Sequence, residues 1–244
     1  MKSNAKITVI IPAYNEEKSI DKVIQAIPEW IDEIIVVDNG STDNTGSVAR
    51  DNGARVVQEP KRGYGTACLT GIAAIQTSDI VVFLDGDFSD YPGDMHLLVD
   101  PILSGEAEMV IGSRLLGITE PGSLALQARF GNMLACFLIK KIWKVKFTDL
   151  GPFRAIRYST LLELGMRDPN YGWTVEMQIR AAQQNIPSLE VPVRYRKRIG
   201  KSKVSGTIPG VIGAGTKILG TIFWAALFTK SFNRKTKEFD TKKQ

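Results

Sequence analysis

The run "IVVFLDGD", Ile80 to Asp87, sets five consecutive apolar residues against two aspartates separated by one glycine. A strand with one wet face alternates polar and apolar side chains, whereas a parallel strand covered on both faces reads as a near-continuous apolar run. "EIIVVD", Glu33 to Asp38, has the same form. Further strands are expected at Ile7–Ile11, Arg55–Gln58 and Met109–Ile111, with helical patterns at Glu16–Ile27, Thr42–Asn52, Gly63–Gln76 and Gly93–Leu103 between them. This alternation predicts an α/β fold, a Rossmann-like, mostly parallel sheet with helices on both faces. After Arg114 the rhythm changes to a long helical pattern over Gly122–Trp143, a mixed region, a helix near Trp173–Asn185 and a strand-like "SLEVPVRYR".

Composition narrows the class. In 244 residues, 43% are hydrophobic and 23% charged, which is a globular balance. The net charge of +5 gathers after Arg194, with few interleaved aromatics, so nucleic acid is not the expected partner. Cys68 and Cys136 form no CxxC or His/Cys cluster, arguing against structural zinc or a disulfide framework. The lead "MKSNAKITVIIP" lacks the apolar core and cleavage site of a signal peptide, so a cytoplasmic protein is expected.

In open α/β sheets ligands bind beyond the carboxyl ends of the strands. Four polar segments fall there: "PAYNEE" (Pro12–Glu17), "DNGSTDNT" (Asp38–Thr45), "KRGYG" (Lys61–Gly65) and "DGD" (Asp85–Asp87). Each also has a plain structural reading. Asn39-Gly40 makes an ordinary turn and Ser41 or Thr42 can cap a helix; "KRGYG" can be a glycine turn; "DGD" can be a solvated, helix-capping acidic loop. Their convergence on one rim favours a site. Asp38 can accept hydrogen bonds from a base or ribose, and Lys61 and Arg62 beside Gly63 and Gly65 suit a phosphate loop. Asp85 and Asp87, with Gly86 permitting a tight backbone between them, can face one hard cation, Mg²⁺ or Mn²⁺, that bridges a diphosphate.

Competing phosphate and metal chemistries fail on spacing. An EF-hand counted from Asp85 would need glycine at Asp90 and glutamate at His96. There is no GxGxxG after the first strand and no GxxxxGK[ST] anywhere. A nucleotidyltransferase would carry a glycine-rich, arginine-containing loop after that strand, which is absent. His96, the only histidine, reads as a surface or packing residue.

"VIIPAYNEE", "IIVVDNGSTDNT", "RGYGTA" and "FLDGD", in this order, resemble the inverting family 2 glycosyltransferases, which have the GT-A fold. "IGSR", "DLGPFRAI", "GWTVEMQIRA" and "VRYRKRIGKSKVSG" narrow the resemblance to the polyprenyl-phosphate sugar synthases. The resemblance implies one domain over 1–205, with a nucleotide-sugar half (1–114) and an acceptor half (115–205), followed by a tail over 206–244. It implies that Pro12, Ala13, Tyr14 and Glu16 surround the nucleoside of a UDP- or GDP-linked sugar, with Asp38 on the base. Asp85 and Asp87 would hold metal and donor; Arg114 and Arg129 would meet the acceptor phosphate; Arg198, Lys201 and Ser202 would close over the phosphates. Asp149, Arg154, Trp173 and Glu176 would line the sugar and acceptor side. Close relatives follow the acidic motif with glutamine and His-Pro, where this chain has Ser89 and Asp90-Tyr91-Pro92.

The implied reaction is an in-line displacement at the anomeric carbon, with polyprenyl phosphate as acceptor and cell-envelope glycan as the destination. A phosphate monoester is largely ionised near neutrality and needs no strong base. A hydroxyl acceptor would need one, with Asp149 or Glu176 the candidates. Arg194–Lys203 holds six cationic residues, 208–228 is largely apolar and 230–243 is basic again. Lys217 and several glycines interrupt the apolar run, so an interfacial helix at the cytoplasmic membrane face is expected, with packing against the domain or a partner subunit as the alternative.

Overall fold

The computed structural model describes residues 5–200, 213 and 215–227. The five expected strands are present as β1 (Ile7–Ala13), β2 (Glu33–Asp38), β3 (Arg55–Gln58), β4 (Ile80–Phe83) and β5 (Met109–Ser113). The strand-like "SLEVP" is β7 (Ser188–Pro192), and a strand the sequence did not announce, β6 (Arg154–Arg157), completes one sheet in the order β3-β2-β1-β4-β6-β5-β7.

All pairings are parallel except those of β6, which runs antiparallel to both β4 and β5. Arg154, at the start of β6, pairs with Phe83 and Ile111 near the carboxyl ends of its neighbours. An antiparallel strand begins where parallel neighbours end, so the segment before β6 is delivered to the ligand rim.

The sheet is covered as its apolar runs require. Along β1, Ile10 faces one core, while Val9 and Ile11 face the other; Ile35 and Val37 of β2 oppose Val36 in the same way. The helices α1 (Ile20–Gln25), α2 (Thr45–Asp51) and α4 (Met95–Leu103) pack on one face. On the other lie α3 (Tyr64–Ala74), α5 (Leu126–Trp143), α6 (Tyr158–Leu164) and α7 (Trp173–Gln183). Phe83 and Trp173 meet edge-on with ring centroids 5.9 Å apart, tying the sheet centre to α7. Each such buried ring contributes about 2 kcal/mol by removal from water.

A helix over 215–227 lies against this second face, with Ile222 fully buried in its core. Part of the expected tail therefore packs on the domain. No helix among the described residues is long and apolar enough to cross a membrane. The rest of the predicted tail, 206–212, 214 and 228–244, lies outside the described residues.

Candidate active site

At the carboxyl ends of β1, β2 and β4 a cleft of about 450 Å³ opens, lined by Pro12, Ala13, Tyr14, Glu16, Asn39, Arg62, Gly63, Tyr64, Asp85, Gly86, Asp87, Asn170, Tyr171 and Arg198, with Ala67 at its base. Six segments far apart in the chain meet there: four follow β1, β2, β3 and β4 at the same sheet edge, Asn170 and Tyr171 precede α7, and Arg198 comes from the stretch after β7.

The loop before α3 is held by the residue after β2. Asn39 donates from Nδ2 to the carbonyls of Glu59 (3.1 Å) and Lys61 (2.7 Å), and accepts from the Gly63 amide at 2.8 Å. Glycine is required at Gly63 and Gly65 by close approach. A Cβ at Gly65 would stand 1.9 Å from the Asp168 carbonyl oxygen, and one at Gly63 2.3 Å from that of Pro169. Thr66 seals the contact, its amide (2.9 Å) and hydroxyl (3.0 Å) donating to the Pro169 carbonyl. Asn170 and Tyr171 are thereby fixed as one wall. Across the mouth, the Arg62 guanidinium lies 3.0 Å from the Tyr14 ring centroid.

The acidic floor is charged unevenly. Asp87 is 4% exposed; its Oδ1 accepts from the Ser89 amide (3.0 Å) and hydroxyl (2.5 Å), and its Oδ2 lies 2.9 Å from Arg198. Asp85 accepts only from the Tyr64 hydroxyl, at 3.1 Å, among the described residues. Burial first, and the Asp87 charge second, push the Asp85 carboxyl up to about 7. Asp90 is 1% exposed, and among the described residues neither of its carboxyl oxygens has a hydrogen-bond partner. Burial, followed by the charges of Asp85 and Asp87, holds it well above the usual carboxylate range. The floor is therefore short of positive charge.

A divalent cation fits this donor set. No cluster of three or more potential ligand side chains occurs among the described residues. Mg²⁺ is ordinarily held by one or two carboxylates, its other positions taken by water and substrate phosphate. Asp85 and Asp87 are the residues that would hold it.

Behind the floor, Arg114 grips Asp149 with two prongs, Nε to Oδ2 (2.8 Å) and Nη2 to Oδ1 (2.7 Å), and its amide adds a third bond at 2.8 Å. Asp149 is fully buried; burial works against its charge, yet Arg114 overcomes this and holds the carboxyl below its ordinary range. Arg154, also fully buried, donates to the carbonyls of Leu150, Gly151 and Thr174. Burial lowers its pKa to about 10.

The structure brings Pro12, Ala13, Tyr14, Glu16, Gly63, Asp85, Gly86, Asp87 and Arg198 to one cleft, and others of the expected site elsewhere. Asp38 sits beneath it, accepting from the Ser41 amide (3.0 Å) and Gln58 (3.2 Å). Lys61 is exposed and outside the lining, and Gly65 serves the packing against Asp168. Arg129 is exposed near the start of α5, outside the cleft. Both expected bases are committed elsewhere. Asp149 belongs to Arg114, and Glu176 accepts from the amides of Arg167 and Asp168 and from Arg180 Nε, away from the cleft. Neither carboxylate is among the residues lining the cleft. Lys201 and Ser202 lie outside the described residues.

Asn39, Tyr64, Asn170 and Tyr171 were not anticipated. Asn39 stood within a quoted motif as a turn residue, and Tyr64 between two glycines. Asn170 and Tyr171 carried no local signal, since only the packing of their loop on Gly63 and Gly65 takes them to the cleft.

Comparison with known proteins agrees with this architecture. The family model described as Glycosyl transferase family 2 matches residues 8–165. An uncharacterized glycosyltransferase of Mycobacterium tuberculosis is 38% identical over 209 residues, covering 84% of this chain and 93% of the relative. A dolichyl-phosphate hexose transferase of Haloferax volcanii is 32% identical over 206 residues, covering 81% and 86%. Among solved structures, glucosyl-3-phosphoglycerate synthase from Mycobacterium tuberculosis in complex with Mn²⁺, UDP and phosphoglyceric acid superposes with a TM-score of 0.73 at 26% identity, covering 92% of this chain and 80% of that one.

Proposed function

The chain belongs to glycosyl transferase family 2 and is a glycosyltransferase; on that premise we propose that it transfers a sugar, with inversion, from a UDP-linked donor to a polyprenyl phosphate in a divalent-metal-dependent reaction. The observation that carries the reading is the meeting of Tyr14, Arg62, Asp85, Asp87 and Arg198 in one cleft. These residues supply an aromatic face, cations and a metal-binding acid pair, which is what a nucleoside diphosphate requires. The uridine donor rests on the likeness to the synthase solved with UDP and Mn²⁺, and the lipid phosphate on the dolichyl-phosphate relative.

In this reading the bond between the anomeric carbon and the diphosphate oxygen breaks with its electron pair leaving on the diphosphate. An acceptor phosphate oxygen forms the new bond from the opposite face. A bound divalent cation supplies charge that offsets the departing group. Arg198 adds a guanidinium at the same end of the cleft, and Tyr64 orients Asp85 through their 3.1 Å hydrogen bond. An ionised phosphate acceptor asks for no proton acceptor, which agrees with Asp149 and Glu176 both being committed to other partners.

A soluble phosphorylated acceptor is the second reading, favoured by the likeness to glucosyl-3-phosphoglycerate synthase. One experiment tests both. UDP- and GDP-sugars are incubated with Mn²⁺ and either a short polyprenyl phosphate or 3-phosphoglycerate, and products are read by mass spectrometry. A lipid-linked sugar formed only with Mn²⁺ is expected. Transfer to phosphoglycerate alone would replace the first reading by the second, and transfer to neither would remove both.

A further inference from the structure

The outward face of α5 is apolar and uncovered. Leu126, Phe130, Met133 and Phe137 are 80, 69, 57 and 53% exposed. Their spacing puts them in one line, and at 1.5 Å per residue the stripe is about 16 Å long. The opposite face is the packed one: Asn132, Ala135, Cys136 and Ile139 are buried. Asn132 fixes that orientation by donating to the Thr148 carbonyl (2.9 Å) and accepting from the Leu150 amide (2.7 Å). Large apolar side chains in a row on a solvent face mark a docking surface.

Charge identifies what docks. From Pro121 to Thr148 there are five cations, Arg129, Lys140, Lys141, Lys144 and Lys146, and no acid. At about 100° per residue, Arg129 and Lys140 fall along one border of the stripe and Lys141 along the other. Lys141 Nζ lies 5.5 Å from the Phe137 ring centroid, which places a cation at the edge of the apolar line. A second copy meeting this face by two-fold symmetry would set these cations against their own equivalents. An apolar stripe bordered by cations and free of acids matches the boundary between acyl chains and anionic headgroups.

We propose that α5 is a membrane-docking helix that inserts Leu126, Phe130, Met133 and Phe137 into the surface of an anionic lipid bilayer. The surface follows from the helix itself and does not depend on the acceptor. If the acceptor is a lipid phosphate, Asn132 ties the rear of the docked helix to the segment holding Asp149, the partner of Arg114.

The test is co-sedimentation of the full chain with phosphatidylcholine vesicles, with and without phosphatidylglycerol, and with no polyprenyl phosphate, so that its outcome is independent of the transfer assay. Wild type should pellet with the anionic vesicles. The double variant F130S/F137S should lose partitioning by about tenfold for each ring removed, with UDP binding by calorimetry unaltered. K140Q/K141Q, which leaves the apolar stripe whole, should lose binding to anionic vesicles severalfold. F223S/L227S, on the helix over 215–227, should bind as wild type. Wild-type partitioning by both α5 variants overturns the proposal, and so does capture by neutral vesicles as strong as by anionic ones. A wild-type dimer that F130S/F137S converts to monomer, without vesicle binding, overturns it in favour of self-association.

Discussion

Lys217 Nζ lies 3.0 Å from Asp168 Oδ2, joining the helix over 215–227 to the loop that walls the donor cleft. Asp168 also accepts from the Asn170 amide at 2.8 Å, and its own amide donates to Glu176 at 2.7 Å. The Asp168 carboxylate therefore ties the cleft wall to the C-terminal helix, while its amide ties the same wall to α7.

Replacing Lys217 should matter little for stability, since its side chain is 43% exposed and pairs of this kind contribute about 0.2–1 kcal/mol. Asp168→Ala should cost more, about 1–3 kcal/mol, because the buried loop loses its acceptor. It should also raise KM for the nucleotide sugar severalfold while kcat changes less, as Asn170 and Tyr171 shift. Thermal denaturation and steady-state kinetics on the two variants check the order; equal effects would contradict it.

Asp85→Asn and Asp87→Asn should each lower sugar transfer by about 10²–10³-fold, the size of losing one electrostatic element at a developing charge. Wild-type enzyme treated with EDTA should fall to a comparable level and recover on adding Mn²⁺, while the variants do not recover. Full activity in EDTA would contradict the assignment of these aspartates.

Gly65→Ala should destabilise by about 1–3 kcal/mol, the usual cost of overpacking, because its Cβ would stand 1.9 Å from the Asp168 carbonyl oxygen. Gly93→Ala, where a Cβ meets nothing within 4 Å, should be close to neutral. Urea denaturation midpoints separate the two.

Asp149 has its folded pKa below the ordinary value, so its ion pair stabilises the protein above about pH 4 and is lost as pH falls through the folded value. Asp149→Asn should flatten that acid limb. At neutral pH the variant should be about 3 kcal/mol less stable, because Arg114 is left buried without its counter-charge. Unfolding free energies between pH 3 and pH 7, on the order of the range spanned by these groups, provide the measurement.

The sequence by itself determined every strand of the sheet except β6, and the rim where chemistry happens. Apolar runs such as Ile34–Val37 and Ile80–Leu84 are local signals, and the polar loops that follow parallel strands must emerge at the same edge. Asp85, Asp87, Tyr14 and Arg62 were legible for that reason. Only the tertiary structure decided the rest. The strand β6 reads as "RAIR", which gives no apolar run, and its antiparallel insertion is what carries Asp149 to Arg114. Asn170 and Tyr171 reach the cleft through contacts across a hundred residues. Asp149 and Glu176 look alike as carboxylates in a sequence; their roles follow from which donors surround them, and that is a property of packing. The apolar residues of α5 announced a helix, but which of its faces the sheet would leave uncovered was set by where the sheet and α7 stand.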